Sequence, residues 1–121
     1  MNTTNKQNMI TLHQIVAAAG FKVLSGANQL NRMCSGGYCS DLLSDVMGRA
    51  GAGKLWVTLQ THKNVIAIAS LKELAAVIIV NGLDPDPDML DQANTEDIPV
   101  LSTIDSAFEI CGKLYPLFNP A

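Results

Sequence analysis

The sequence lacks the features that mark several common protein classes. No cluster of Lys or Arg occurs among its 121 residues, and acidic residues outnumber basic ones by 11 to 8, a formal net charge of -3. Binding a phosphate backbone requires grouped cations that displace counterions, so nucleic acid is not an expected partner. Aromatics are few and scattered, three Phe, two Tyr and one Trp, which argues against a base-stacking platform. The three cysteines, Cys34, Cys39 and Cys111, are too few and odd in number for a disulfide framework. They fit free thiols in a reducing compartment, so a cytoplasmic location is expected. The most apolar stretch, residues 65–80, is interrupted by Ser70, Lys72 and Glu73, whereas a membrane span needs about 18 nearly unbroken apolar residues. His13 and Gln14 likewise break the apolar stretch near the N-terminus, and its helical, amphipathic period does not fit a signal peptide.

What is present is enough for one core. Apolar residues make up 48% of the chain and charged residues 16%. A chain of this length forms one domain that buries roughly two thirds of its unfolded surface. Residues 1–9 are polar and expected to be flexible; residues 10–118 carry the domain. Thr11 and Gln14 form a capping box ahead of Leu12, Ile15, Val16 and Ala19, which recur at helical spacing, and Gly20 suits the helix end. A short strand follows at 21–24 and a loop at 25–37. Residues 38–47 have helical spacing at Leu42, Leu43, Val46 and Met47, with room for a short strand.

From residue 55 the order is strand, helix, strand, helix, strand, helix. Residues 55–59 and 76–80 read as buried strands, and Asn64 as the N-cap of an almost wholly apolar helix to about residue 74. Asn81-Gly82 is a turn, and Asp86-Pro87 starts a helix to about residue 94. Residues 98–101 form a strand whose Pro99 places it near an edge or marks its start. Ser102 or Thr103 would cap a last helix with Ile104, Ala107, Phe108, Cys111, Leu114 and Tyr115 towards the core, ended by Pro116. Short connections of this kind predict a single α/β domain: a mainly parallel sheet of four to five strands flanked by helices.

Few motifs carry chemistry. Gly48 to Lys54 matches G-x-x-x-x-G-K, but Leu55 stands where a P-loop needs Ser or Thr, and a strand follows where a helix is required. A tight turn is the better reading. The polar segment Thr58, Gln60, Thr61, His62, Asn64 lies between a strand end and a helix start. Ligands of open α/β sheets bind at such ends, and helix N-termini favour anions; a capped helix with a surface His is the plainer alternative. Asp41 and Asp45, with Ser44 beside them, would share a face if their segment is helical. They would then hold a cation, accept ligand hydrogen bonds or do acid–base work, or simply form a solvated edge. Cys34 and Cys39 lack the C-x-x-C spacing of redox or zinc sites, and Cys111 falls on the apolar face of the last helix. No metal or cofactor is expected.

Residues 36–47, 55–64 and 75–82, with Ile98-Pro-Val-Leu-Ser-Thr and Ser106-Ala-Phe-Glu, together resemble the small stand-alone bacterial proteins of the DRTGG-domain family. Such domains accompany CBS domains in regulated pyrophosphatases and are similar to the N-terminal domain of HPr kinase/phosphorylase. The kinase chemistry of that enzyme lies in a separate P-loop domain, so the resemblance implies no kinase activity. Thr61-His62-Lys63 occupies the family's Asp-Arg region and Val80-Asn81-Gly82-Leu83 its Thr-Gly-Gly region, which directs attention to Gln60, Thr61, His62, Asn64 and Asn81. The expected function is a non-catalytic regulatory module, a homodimer, binding a small polar or anionic ligand, a nucleotide among the candidates, around residues 60–64. One alternative is an interaction subunit of a redox or signalling system, which the family's association with hydrogenase components leaves open. The other is a Mg-dependent phosphoryl-transfer or hydrolytic enzyme using His62 with Asp41 and Asp45.

Overall fold

The computed structural model describes residues 9–120; the expectation of a flexible segment at 1–9 lies, but for Met9, outside them. The fold is set by strands too apolar to meet water. β5 (Lys54–Thr58) and β6 (Ala76–Ile79) are buried along almost their whole length, so both faces must be covered. They sit in a five-stranded sheet of order β2-β7-β6-β5-β4, with β4 at Gly36–Cys39, β7 at Val100–Ser102 and β2 at Lys22–Ser25. β4, β5, β6 and β7 are parallel neighbours, and β2 joins β7 antiparallel. Two short strands, β1 (Ile10–Thr11) and β3 (Met33–Cys34), form a separate antiparallel pair.

Alternation along the strands divides the core in two. Leu55 and Val57, Ala76 and Ile78, and Leu101 face a cluster built with α1 (Leu12–Ala19) and α5 (Ala107–Phe118). Trp56, Val77, Ile79 and Val100 face another, built with α2 (Leu43–Arg49), α3 (Asn64–Leu71) and α4 (Pro87–Glu96). Three successive crossovers step the same way across the sheet, β4-α2-β5, β5-α3-β6 and β6-α4-β7. Crossovers of one hand stepping in one direction leave their helices on one face. α3 lies in the middle of that layer, against both α2 and α4, which is why Val65, Ile66, Ile68 and Ala69 are all buried. No helix among the described residues is long and apolar enough to cross a membrane.

Local chemistry explains the element ends. The Thr11–Gln14 capping box is made as expected, and Gly20 ends α1 at φ 74°. Other boundaries differ from expectation. Residues 25–37 hold more than a loop: a 3-10 turn at Ala27–Gln29, β3 and the start of β4. Asn64 is not an N-cap but the first residue of α3. The preceding turn supplies backbone acceptors instead, with Val65 N–H donating to His62 O and Ile66 N–H to Lys63 O, both at 3.0 Å. Pro99 marks a strand start, but that strand lies inside the sheet, between β2 and β6. Where β2 meets β7 the register shifts between Val23 and Ser25. The Ser25 hydroxyl fills the gap, donating to Ile98 O at 2.9 Å and accepting from Val100 N–H at 3.0 Å. Gly26 follows at φ 75°, and a Cβ there would meet Pro99 Cα at 2.7 Å, so no other residue fits.

The last helix departs most from expectation. Its cap is Ser106, in a capping box with Glu109, not Ser102 or Thr103. Ile110, Leu114 and Phe118 face the core, with Ala107 and Cys111 at its margin. Ile104, Phe108 and Tyr115 point to solvent, at 87%, 89% and 69% exposure. Pro116 lies inside the helix rather than ending it. An interior proline costs about 3 kcal/mol; burial of Phe118 beyond it, about 1.5–3 kcal/mol, together with Leu117 packed against the same cluster, offsets that cost.

This orientation makes a direct test. Ile110→Ala is expected to cost roughly 2–5 kcal/mol, whereas Phe108→Ala should change stability by less than about 0.5 kcal/mol. Urea unfolding of the two variants reads the difference; equal losses would place Phe108 in the core.

Candidate functional site

The two helix layers part at the boundary between β6 and β7. α4 leaves β6 towards one face of the sheet and α5 leaves β7 towards the other. Loops that diverge in this way open a crevice at the C-terminal end of a parallel sheet, where ligands of such folds bind. A cleft of about 330 Å³ lies there, lined by Lys22, Gly82, Asp84, Ser102 and Thr103 among others. Lys22 enters because β2 runs antiparallel, so its first residue pairs with Ser102, the last of β7. Lys22, Ser102 and Thr103 were not among the sequence candidates. Only the pairing of two segments some 80 residues apart brings them together, and no local pattern signals it.

Asn81 does not line this cleft but immediately precedes Gly82, which does. Both have left-handed backbones, at φ 63° and 67°, which Asn tolerates better than other side-chain-bearing residues. Their N–H groups donate to Asp105 O and Thr103 O, each at 2.9 Å, locking the β6–α4 loop to the β7–α5 loop. Asn81 thus has a backbone reason for its identity, and its side chain remains exposed.

The neighbouring loop, after β5, meets the same end of the sheet, since Thr58 lies in register with Ile79. Much of it is committed to structure. Asp41 Oδ1 accepts from the Thr58 hydroxyl at 2.9 Å and from Leu59 N–H at 2.7 Å. Gln60 Nε2 donates to Asp41 O at 2.9 Å, and Gln60 N–H donates to Thr58 Oγ1 at 3.1 Å. The indole of Trp56 fixes the other side of this loop by donating to Ser40 O at 2.8 Å. Thr61 O accepts from Asp86 N–H at 2.8 Å. His62 and Asn64 are exposed, and they carry the side chains of this segment most open to a ligand.

Asp41 and Asp45 do not form the shared face anticipated for a helical pair. Asp41 precedes α2, whereas Asp45 lies in its first turn. Asp45 accepts from the Tyr38 hydroxyl at 2.8 Å and pairs with Arg49 at 3.5 Å. That hydrogen bond, which favours the neutral phenol, raises the Tyr38 pKa above its ordinary value. Ser44 is exposed on α2. No hydrogen bond joins His62 to a carboxylate among the described residues, and none of them form a cluster of three or more metal-ligating side chains. The Gly48–Lys54 segment runs from the end of α2 into β5, the reverse of the strand–loop–helix order of a P-loop. Lys54 Nζ donates to Ser35 O at 3.3 Å, while Gly53 turns the chain at φ 79°.

Comparison with known proteins agrees with this architecture. Residues 14–115 match the family model described as the DRTGG domain. No protein of curated function is a significant match. A solved structure of similar fold holds the CBS and DRTGG domains of the regulatory region of a Clostridium perfringens pyrophosphatase, complexed with its activator, diadenosine tetraphosphate. The TM-score is 0.66 at 12% identity, over 86% of this chain and 47% of that one. The chain therefore spans about half of that regulatory region.

The hydrogen bonds around Asp41 predict separate roles for two candidates. Asp41→Ala removes a charged acceptor from two donors and is expected to cost about 1–3 kcal/mol. His62→Ala should leave stability within about 0.5 kcal/mol of the parent. Guanidinium unfolding midpoints at pH 7 compare them; a large loss for His62→Ala would assign it a structural role.

Proposed function

Because the chain belongs to the DRTGG domain family, we propose that it is a non-catalytic regulatory module that binds a small polar or anionic ligand at the C-terminal end of its sheet. The observation that carries this reading is the crevice at the β6–β7 boundary, the place where open α/β sheets take ligands. The ligand would lie between the loop of Gln60, Thr61, His62 and Asn64 and the cleft beside Asn81. Lys22 supplies a cation to one side, and the Ser102 and Thr103 hydroxyls supply hydrogen-bond partners. A nucleotide is the leading candidate, since the pyrophosphatase regulatory region of similar fold binds diadenosine tetraphosphate. Asp41, Asp45 and Thr58 would support the loops rather than touch the ligand, and Ser44 stands exposed on α2. Phosphoryl transfer is not part of this reading: among the described residues His62 has no carboxylate partner to make it a base, and the glycine-rich turn has the wrong context for ATP.

A second reading is favoured by one feature, the exposed side chains of Phe108 and Tyr115 on α5, with exposed Ile104 in the loop before it. Apolar side chains grouped on one outer face mark contact surfaces. This face would join two copies in the expected homodimer or receive a redox or signalling partner. Light scattering of the parent and Phe108→Asp tests the dimer; a monomeric parent would remove the first of these options.

The ligand reading is tested by thermal shift with diadenosine tetraphosphate, ATP, AMP, acyl phosphates and phosphosugars. A ligand at a hundredfold excess over its dissociation constant stabilises the folded state by about 2.7 kcal/mol, a rise of several degrees in Tm. The rise is expected to fall in both His62→Ala and Lys22→Ala. No shift with any of these compounds would overturn the proposal, and a shift unchanged in both variants would move the site elsewhere.

A further inference from the structure

Sequence spacing sets Cys34 beside Cys39, but the fold brings a different two cysteines to one cleft. Cys34 is fully buried beneath α1, and burial pushes its thiol up to about 11. Cys39 ends the edge strand β4, and strand alternation turns it to the sheet face that α5 covers, opposite to Tyr38. Cys111 lies on α5, which packs across β4. Both cysteines line one cleft of about 200 Å³, together with Gly37, Val57, Leu114 and Phe118, and Cys111 is near enough to perturb the Cys39 thiol. Both are free thiols, Cys39 exposed and Cys111 half-buried.

We propose that Cys39 and Cys111 are a reversible dithiol–disulfide pair that fastens edge strand β4 to α5, closed by exchange with a low-molecular-weight disulfide of the glutathione type. Cys39, the more exposed, reacts first. Its thiolate attacks one sulfur of the small disulfide, that S–S bond breaks, and one small thiolate leaves. Cys111 then loses its proton, and its thiolate attacks the Cys39 sulfur of the mixed disulfide, expelling the second small thiolate. The two cysteines give up two electrons, the small disulfide is reduced to two thiols, and the two protons released return to them.

The surroundings set the rate. Burial, then the neighbouring Cys111, pushes the Cys39 thiol up to about 11, with Asp41 adding to the effect. Lys54, Tyr38 and Tyr115 are the other titratable groups around the cleft. Only the thiolate attacks, so exchange is slow near neutral pH and quickens about tenfold per pH unit below that pKa. The closed bond spans most of the chain, and closing a long loop restricts the unfolded state strongly. This pair is separate from the proposed ligand cleft and does not depend on it.

The test uses the full chain in glutathione redox buffer at pH 8.5, quenched with acid, followed by intact mass and peptide mapping. The parent and Cys34→Ser are expected to lose two hydrogens without retaining glutathione and to yield a Cys39–Cys111 cross-linked peptide. Cys111→Ser should stop at a glutathione adduct on Cys39. The oxidised parent should melt several degrees above its reduced form, and Cys39→Ser should show no such difference. A lasting glutathione adduct on the parent, a link through Cys34, a cross-linked dimer, or no oxidation at all would each overturn the proposal.

Discussion

β6 contains no polar side chain. Ala76, Val77, Ile78 and Ile79 are all fully buried, and each Val or Ile so placed contributes about 1.5–3 kcal/mol. Together these three rival the whole net stability of an ordinary domain, about 5–15 kcal/mol. Such a strand can exist only at the middle of a sheet covered on both sides. The third place in a five-strand order and the helices on both faces answer that one requirement. The near-complete burial of α3 does so too, since it closes the centre of its layer.

The same requirement produces the candidate site. With α1 and α5 on one face and α2, α3 and α4 on the other, the helices that follow β6 and β7 leave to opposite faces. At that place the connecting loops separate, and the backbone bonds from Asn81 and Gly82 hold them at a fixed spacing. The Asp41 network does the corresponding work one strand further along. Polar residues at this end of the sheet therefore divide into those that build the loops and those left open above them. Side-chain type alone does not separate the two groups.

The parts of the fold legible in the sequence were those with a local cause. The Thr11–Gln14 box, Gly20, the run in β6 and Asp86-Pro87 each act within a few residues, and each was found. The last helix shows where local reading fails. Ile104, Phe108 and Tyr115 repeat at helical spacing just as Ile110, Leu114 and Phe118 do, so periodicity could not choose between the faces. The sheet chose, through the position of α5 across β4. For the site, the position of the 60–64 loop and of Asn81 at one end of the sheet was readable from strand–helix order. The sharing of a face by Asp41 and Asp45 was not realised, because α2 begins after Asp41. The nearness of Cys39 to Cys111 and of Lys22 to Ser102 arises from tertiary pairing and leaves no trace in spacing.

The pairing of β2 with β7 has a consequence in time. β4 to β7 follow one another in sequence and can assemble as each emerges during synthesis. β2 cannot, because its only neighbour in the sheet ends at Ser102, and the Ser25 hydroxyl waits for partners 73 and 75 residues further along. Contacts so distant in sequence are slow to form. Until then α1 has no finished surface to cover, and the unpaired edge of β7 is open to the β2 of any other chain at hand. The order in which the ribosome delivers the strands thus leaves β2 without its partner in the sheet until β7 has been made.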